Sequence, residues 1–502
     1  MSNTCVIIGG GIGGLFTGAL LSKNGYVVTV LEKNAIIGGG LQCFHRNGKL
    51  FETGMHVAGG LEQGGSLYRI CRYLGIIDRL NIQHVPHGCM DEIYYHKTGE
   101  IFRIASGKTG FVNSLASYFP AERENLKRYV DEIFRLTDEV PLFTLHEDVD
   151  VNPHSENFLI AADELIDRYV GNPKLREILA YLNPLYGGVK GHTPAYIHAL
   201  LNVLYINGSA RFAGGSQHLA DSLADVIRDG GGQIIAGRAV KEINVSDKHV
   251  NYVATDDGRR LVADKYVSAI HPIELVRMST PGAFRKSFID RLNDIPNSIS
   301  AFSVYIDLKD KTFPYIDHTC YYMEDYGKMW QPVDIADGNW PSGFMYMTPP
   351  DARPNGYASR LLVYCTMKFD EVRQWEDTSV GKRGAAYEEW KKMCTNRVLS
   401  KIDSLYPGFS EKVRHVYAAS PLTIRDYYNT KEGAIFGYRK DCQNHLFSRL
   451  TVYTKLDNLY LTGQNIILHG ICGVPLTAIK TAECILGKNT IINQIRKSET
   501  NL

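Results

Sequence analysis

The chain has 502 residues, 44% apolar and 22% charged, with 55 Lys plus Arg against 54 Asp plus Glu. This ordinary globular mixture excludes a largely disordered chain, and a formal charge of +1 leaves no field to hold a nucleic-acid backbone, so no nucleic-acid partner is expected. The ten cysteines are scattered without a C-x-x-C pair, which argues for reduced thiols and against both a disulfide-exchanging flavoenzyme and a Cys-rich zinc site; no metal is expected.

From the start of the chain, Cys5 to Ile8 reads as a buried strand, Gly13 to Lys23 as a helix and Tyr26 to Leu31 as a second strand, a βαβ opening. No secretory pattern precedes it, so a cytoplasmic location is expected. The run Val6 to Gly14 supplies G-x-G-x-x-G at Gly9, Gly11 and Gly14: a tight turn out of the strand, a close backbone approach to a pyrophosphate, and a helix packed on the sheet. Glu32 ends the second strand, where a carboxylate accepts hydrogen bonds from an adenosine ribose. Such recognition does not separate FAD from NAD. A second glycine cluster, Gly38-Gly39-Gly40, followed by Phe51-Glu52-Thr53-Gly54-Met55-His56, fits a chain that must pass close to the far end of a longer cofactor.

Helical spacing follows at Leu126, Tyr129, Val130, Ile133 and Phe134. A second α/β-like region spans 214–269, with a helix through Leu219, Leu223, Val226 and Ile227 and strands at Gln233 to Ile235 and His249 to Ala254. The stretch 276–411 is rich in Tyr, Trp and Met. Near the end, Asn458 to Thr462 reads as a strand leading into Gly463-Gln464, and Pro475 as the first residue of a helix running to Leu486. That helix start would set backbone N–H groups beside the flavin edge that gathers negative charge on reduction. Leu459 to Leu486 is interrupted by Gln464, His469, Lys480 and Glu483, so no membrane-crossing helix is expected; contact with a membrane surface and the oligomeric state stay open. Tyr438-Arg439-Lys440 reads as a solvated turn. The fold class is α/β: a discontinuous Rossmann-type nucleotide-binding domain over 1–105, 208–275 and 412–502, with an α+β substrate domain inserted twice, over 106–207 and 276–411.

Gly9 to Gly14, Glu32, Gly38-Gly39 and the terminal strand resemble the FAD-dependent phytoene desaturase, carotenoid isomerase and amine oxidase superfamily. Within it, Phe51 to His56, Pro184-Leu185-Tyr186-Gly187, Phe212-Ala213-Gly214-Gly215-Ser216, Gly381-Lys382-Arg383-Gly384, Ser420-Pro421-Leu422-Thr423 and Asn458 to Gln464 resemble the retinol saturase branch, over nearly the whole chain. The resemblance implies an amine-oxidase-like FAD domain in which Gly9, Gly11, Gly14 and Glu32 hold the ADP half and Gly39 with Gly40 approach the pyrophosphate. It further implies that Val240 bonds adenine through its backbone, that Gly463 and Gln464 meet the phosphate and ribityl chain, and that Gly473 and Val474 face the isoalloxazine ring. Gly40 stands where relatives often carry Cys, Ser or Arg.

The implied activity is saturation or desaturation of carbon–carbon double bonds in a hydrophobic polyene, by hydride transfer at the flavin. The alternatives are redox-neutral isomerisation, amine oxidase or monooxygenase chemistry, and a non-catalytic flavin-containing lipid binder. No second dinucleotide fingerprint is visible, so NAD(P)H would bind transiently as donor or another protein would supply electrons. Candidates for orientation or proton transfer are His56, His469, Tyr186 and Tyr428. An apolar pocket is expected from residues such as Tyr181, Tyr186, Tyr196, Trp330, Trp340, Met345, Tyr346 and Met347.

Overall fold

The run Val6-Ile7-Ile8 is apolar on both faces, as a strand covered on either side must be. In the computed structural model, which describes residues 3–54, 57–147, 154–330, 335–350 and 356–500, this run lies in β1 (Thr4–Ile8). It is followed by α1 (Ile12–Lys23) and β2 (Val27–Leu31). β1 is the centre of a five-stranded, wholly parallel sheet whose order is Gln233–Ile235, β2, β1, Lys265–Ser268, Leu459–Leu461. The last two strands come from far along the chain, so the domain is discontinuous. α1 is buried from Gly13 to Ser22 because helix Gln217–Asp229 and α2 (Gly470–Leu486) pack on it.

Gly14 explains how α1 sits so close to the turn: a Cβ there would stand 2.0 Å from the Gly9 carbonyl oxygen. Gly9 itself has φ +105°, a conformation open to glycine and costly for other residues.

The second unit is a seven-stranded sheet of order Val413–Ala419, Ser300–Leu308, Arg360–Met367, Gly343–Met347, Thr319–Met323, Asp91–Tyr95, Glu100–Ile104. Every pair is antiparallel except Thr319–Met323 with Asp91–Tyr95. This moves two of the expected domain boundaries. Asp91–Ile104 and Val413–Ala419 belong to the seven-stranded sheet rather than to the nucleotide domain expected at 1–105 and 412–502. The ladders that claim them join Asp91 to Thr319 and Ser303 to Ala419, pairings that no local pattern reveals. The segment after residue 106 supplies helices such as Arg123–Asp138 and Ala195–Asn207, whose apolar faces share one continuous core with α1 and α2.

Two smaller expectations are also corrected. α2 begins at Gly470, not Pro475; the proline sits within it, and the Ile471 carbonyl goes without that backbone donor. Tyr438 and Lys440 are buried rather than in a solvated turn, with the Tyr438 hydroxyl donating to the Leu292 carbonyl at 2.8 Å. Among the described residues no single helix is long and apolar enough to cross a membrane.

Candidate functional site

A cavity of about 540 Å³ runs between the two sheets. One end is made of backbone. Gly9, Gly11, Gly13, Gly39, Gly40, Gly463 and Gly473 line it, with Glu32, Val240, Gln464 and Val474. β1 delivers the first turn to this end, and the Gly10 carbonyl accepts from the Gly38 N–H at 2.7 Å, which lays the second glycine cluster against the first. Glu32 is buried and fixed by both carboxylate oxygens, Oε2 accepting from the Gly10 N–H and Oε1 from the Asn34 N–H, each at 2.8 Å. Gly13 packs α1 onto the terminal turn, since a Cβ there would stand 2.8 Å from Gly463 Cα.

Two helix starts open on the cavity. α1 follows Gly11 and α2 follows His469, and neither residue caps its helix with a side chain, so first-turn N–H groups are left for a ligand. A Cβ added at Gly11 would meet nothing nearer than Gly39 Cα at 4.0 Å. The turn therefore holds space that its own fold does not need, beside uncapped N–H groups, and this fits a pyrophosphate. Glu32 beside it fits a ribose.

Of the residues expected to hold the cofactor, all line the cavity except Gly14, which packs helix against turn. Among the proton-transfer candidates, His469 and Tyr428 line the cavity. Burial pushes the His469 imidazole down to about 4, reinforced by the charge of Lys440, so it is neutral at physiological pH. Its ring centroid lies 5.1 Å from that of Phe436. Tyr428 lies over Gly40 and Gly54; a Cβ on Gly54 would stand 2.2 Å from its hydroxyl, and burial pushes the phenol up. His56 lies outside the described residues.

Tyr186 is a correction. The turn Asn183–Leu185 followed by Gly187 at φ +60° presents Leu185 and Gly187 to the cavity and sends Tyr186 the other way. Its hydroxyl lies 2.9 Å from His198 Nδ1, and the Tyr129 hydroxyl 2.6 Å from His198 Nε2, a buried structural network in the helical layer. Of the expected apolar lining, Tyr181, Trp330 and Met345 are present; Tyr196 stacks on Phe158 at 4.6 Å, Trp340 bonds the Thr366 carbonyl, Tyr346 meets Tyr406, and Met347 packs with Phe51 and Tyr305.

The other end of the cavity is made of side chains: Leu201, Leu204, Tyr205, Tyr321, Met323 and Phe344 join Tyr181 and Met345. Most of these carry no signal in the sequence beyond being apolar. Phe344 and Met345 lie on one strand and Tyr321 and Met323 on the strand paired with it, so period-two alternation, once the pairing is known, would have found Tyr321 and Met323 together. Away from the cavity, Glu92, His318 and Cys320 bring ligand-type atoms within 4.8 Å of one another. Arg103 already pairs with Glu92 at 2.8 Å, and burial holds the Cys320 thiol protonated.

A parallel sheet with a glycine turn at its centre, a buried ribose-type acid and a second inserted sheet define a dinucleotide-binding oxidoreductase fold. The family model described as "Flavin containing amine oxidoreductase" matches residues 12–486, and the chain belongs to that family. Similar curated proteins are the all-trans-retinol 13,14-reductase of Rattus norvegicus, 26% identical over 96% of this chain and 86% of that protein, and prolycopene isomerase 1 of an Oncidium hybrid cultivar, 23% identical over 92% and 79%. The 4,4'-diaponeurosporene oxygenase of Staphylococcus aureus is 22% identical over 95% and 96%. Among solved structures, an oxidoreductase from Methanosarcina mazei has a TM-score of 0.65 at 17% identity, covering 96% of this chain and 100% of that one. Putrescine oxidase bound to putrescine has 0.62 at 13%, covering 97% and 99%, and these two likenesses carry the fold.

Proposed function

We propose that the chain is an FAD-dependent oxidoreductase that adds or removes two hydrogens at a carbon–carbon double bond of a hydrophobic polyene of retinoid or carotenoid type. The observation that carries this reading is the continuity of one cavity from a glycine-built end to an aromatic and aliphatic end. Gly9, Gly11, Gly39 and Gly40 would hold the phosphates, Glu32 the ribose, the Val240 backbone the adenine, and Gly463, Gln464, Gly473 and Val474 the ribityl chain and ring. The bound flavin supplies acceptance or delivery of a hydride, and an external donor such as NAD(P)H renews it.

The chain's own residues do the rest. The glycines and helix starts fix the cofactor, and the aromatic end strips water from an apolar chain and holds it in place. His469, at the start of α2, would present an uncharged imidazole to the ring. Among the described lining residues Glu32 is the one carboxylate, and it lies at the nucleotide end. A cationic amine would thus find no counter-charge at the aromatic end, which favours a polyene over an amine. Redox-neutral isomerisation is the second reading, favoured by the similarity to prolycopene isomerase.

The test is anaerobic incubation of the FAD-loaded, dithionite-reduced chain with all-trans-retinol and with lycopene, read by mass spectrometry. A product heavier by two hydrogens is expected. A product of unchanged mass and altered geometry would establish isomerisation; no product from the reduced chain, together with no product lighter by two hydrogens from the oxidised chain, would contradict both readings.

A further inference from the structure

The cavity's phenols differ in what stands behind them. Tyr205 donates its hydroxyl to the Val57 carbonyl at 3.3 Å, and Tyr428 lies 3.5 Å from Thr53 Oγ1, partners that cannot resupply a proton. Tyr181 lines the cavity and donates to Asp91 Oδ2 at 2.7 Å, on the strand behind the wall. Asp91 is 3% exposed and Tyr181 is packed into the wall at 0%, so this is an internal carboxyl whose hydrogen-bond partner is a buried residue of the cavity lining. We propose, on the reading of function just given, that Tyr181 is the proton-transfer residue of the cavity and that Asp91 is the positioning residue that refills it.

The groups facing Asp91 set its protonation. Burial pushes the carboxyl up, while the Tyr181 hydrogen bond and the charge of Arg211 pull it down, leaving it at about 7. Arg211 is itself buried and donates to the Ile316 and Thr348 carbonyls. Tyr205, Tyr321 and the Cys89 thiol are the other titratable groups that sense the Asp91 charge, and burial pushes all three up, so they are neutral near pH 7. Neighbouring Glu92 pairs with Arg103 instead. The Tyr321 ring stands edge-on to Tyr181, with centroids 5.2 Å apart and planes at 88°, which fixes the phenol in place.

With Asp91 protonated, its O–H donates to the Tyr181 oxygen and the phenol hydrogen is free to turn into the cavity. In saturation, one alkene carbon takes a hydride from reduced flavin and the other takes the Tyr181 proton, while Asp91 passes its own proton to Tyr181. Two C–H bonds form, one π bond is lost, the flavin is oxidised by two electrons and Asp91 is left as the carboxylate beside Arg211, to be reprotonated from water. The concerted shift avoids a buried tyrosinate, which desolvation makes costly. Desaturation runs the same path backwards.

The test uses the FAD-loaded chain with reduced flavin and all-trans-retinol. Tyr181→Phe is expected to lower turnover about 10²- to 10⁴-fold with flavin content unchanged. Asp91→Asn keeps the shape and the acceptor but cannot carry the proton; its turnover should fall about 100-fold and lose the pH dependence centred near 7, with partial recovery in Asp91→Glu. An infrared difference spectrum, which needs no turnover, should show a protonated carboxyl band at pH 6 that fades by pH 8 and is missing from Asp91→Asn. Absence of that band, or Tyr181→Phe turning over at the wild-type rate, overturns the relay alone. A wild-type chain that leaves every polyene unchanged overturns the functional reading, and the relay with it.

Discussion

The two ends of the cavity are built on opposite principles. At the nucleotide end the backbone does the recognising: Gly9, Gly39 and Gly463 have φ of +105°, +57° and +95°, and a Cβ on Gly13 or Gly14 would collide with neighbouring backbone. At the apolar end the side chains of Tyr181, Leu204, Tyr321, Met323, Phe344 and Met345 form the surface, drawn from segments that meet only in the folded chain. The first end tolerates almost no added atoms and accepts one ligand; the second is a wall of adaptable apolar groups whose exact members set which chain fits.

Substitutions within the glycine turn break this contrast most severely. Gly14→Val, forced against the Gly9 carbonyl, should abolish soluble, folded protein; a soluble product with a wild-type melting midpoint would contradict the packing. Gly11→Ala is the informative partner, because its Cβ has room in the chain and takes it from the phosphate. It should fold with its melting midpoint kept when flavin is absent, yet retain little flavin by absorbance. Glu32→Gln keeps the shape of the acid but gives up a charged acceptor worth about 1.5–3 kcal/mol, so flavin retention should fall about 10- to 100-fold.

Burial pushes His198 down to about 3 and His271 and His469 to about 4, so below the ordinary value of 6.5 these three imidazoles bind fewer protons in the folded chain than in the unfolded one, against the extra proton that Asp91, raised to about 7, takes up when folded. The stability these histidines contribute is therefore whole above about pH 6.5 and is lost as pH falls toward 4, three groups outweighing that opposing carboxyl. Melting midpoints from pH 7.5 to 4.5 should drop, and the slope should flatten in His198→Gln; a level profile would contradict the buried neutral state. The smallest effect is Tyr186→Phe, which removes one hydrogen bond to His198 away from the cavity. It should cost about 1 kcal/mol in stability and leave turnover unchanged.

The same contrast decides what was legible beforehand. Gly9, Gly39 and Gly463 could be picked out because positive φ demands glycine, Gly473 because of close approach to Leu468, and Gly11 and Glu32 because a bound nucleotide demands a bare turn and an acid at a fixed spacing, all local constraints. Asp91–Tyr95 and Val413–Ala419 were placed in the wrong domain because their sheet partners lie hundreds of residues away in sequence. Tyr186 and Tyr181 could not be told apart by type; a 3₁₀ turn and the positive φ of Gly187 decide that one faces His198 and the other the cavity. Asp91 left a faint trace, a carboxylate in the same inward register as Ile93 and Tyr95, which becomes meaningful only when Tyr181 is seen beside it.

On the proposed reading a single cavity would hold the flavin at one end and an apolar chain at the other. The direct measurement is the visible spectrum of the flavin-loaded, oxidised protein during titration with all-trans-retinol. A saturable shift of the flavin band that ends at one equivalent is the expected result, because both molecules then share one dry enclosure. Stoichiometric binding of the polyene with an unaltered flavin band would place it elsewhere and contradict the account.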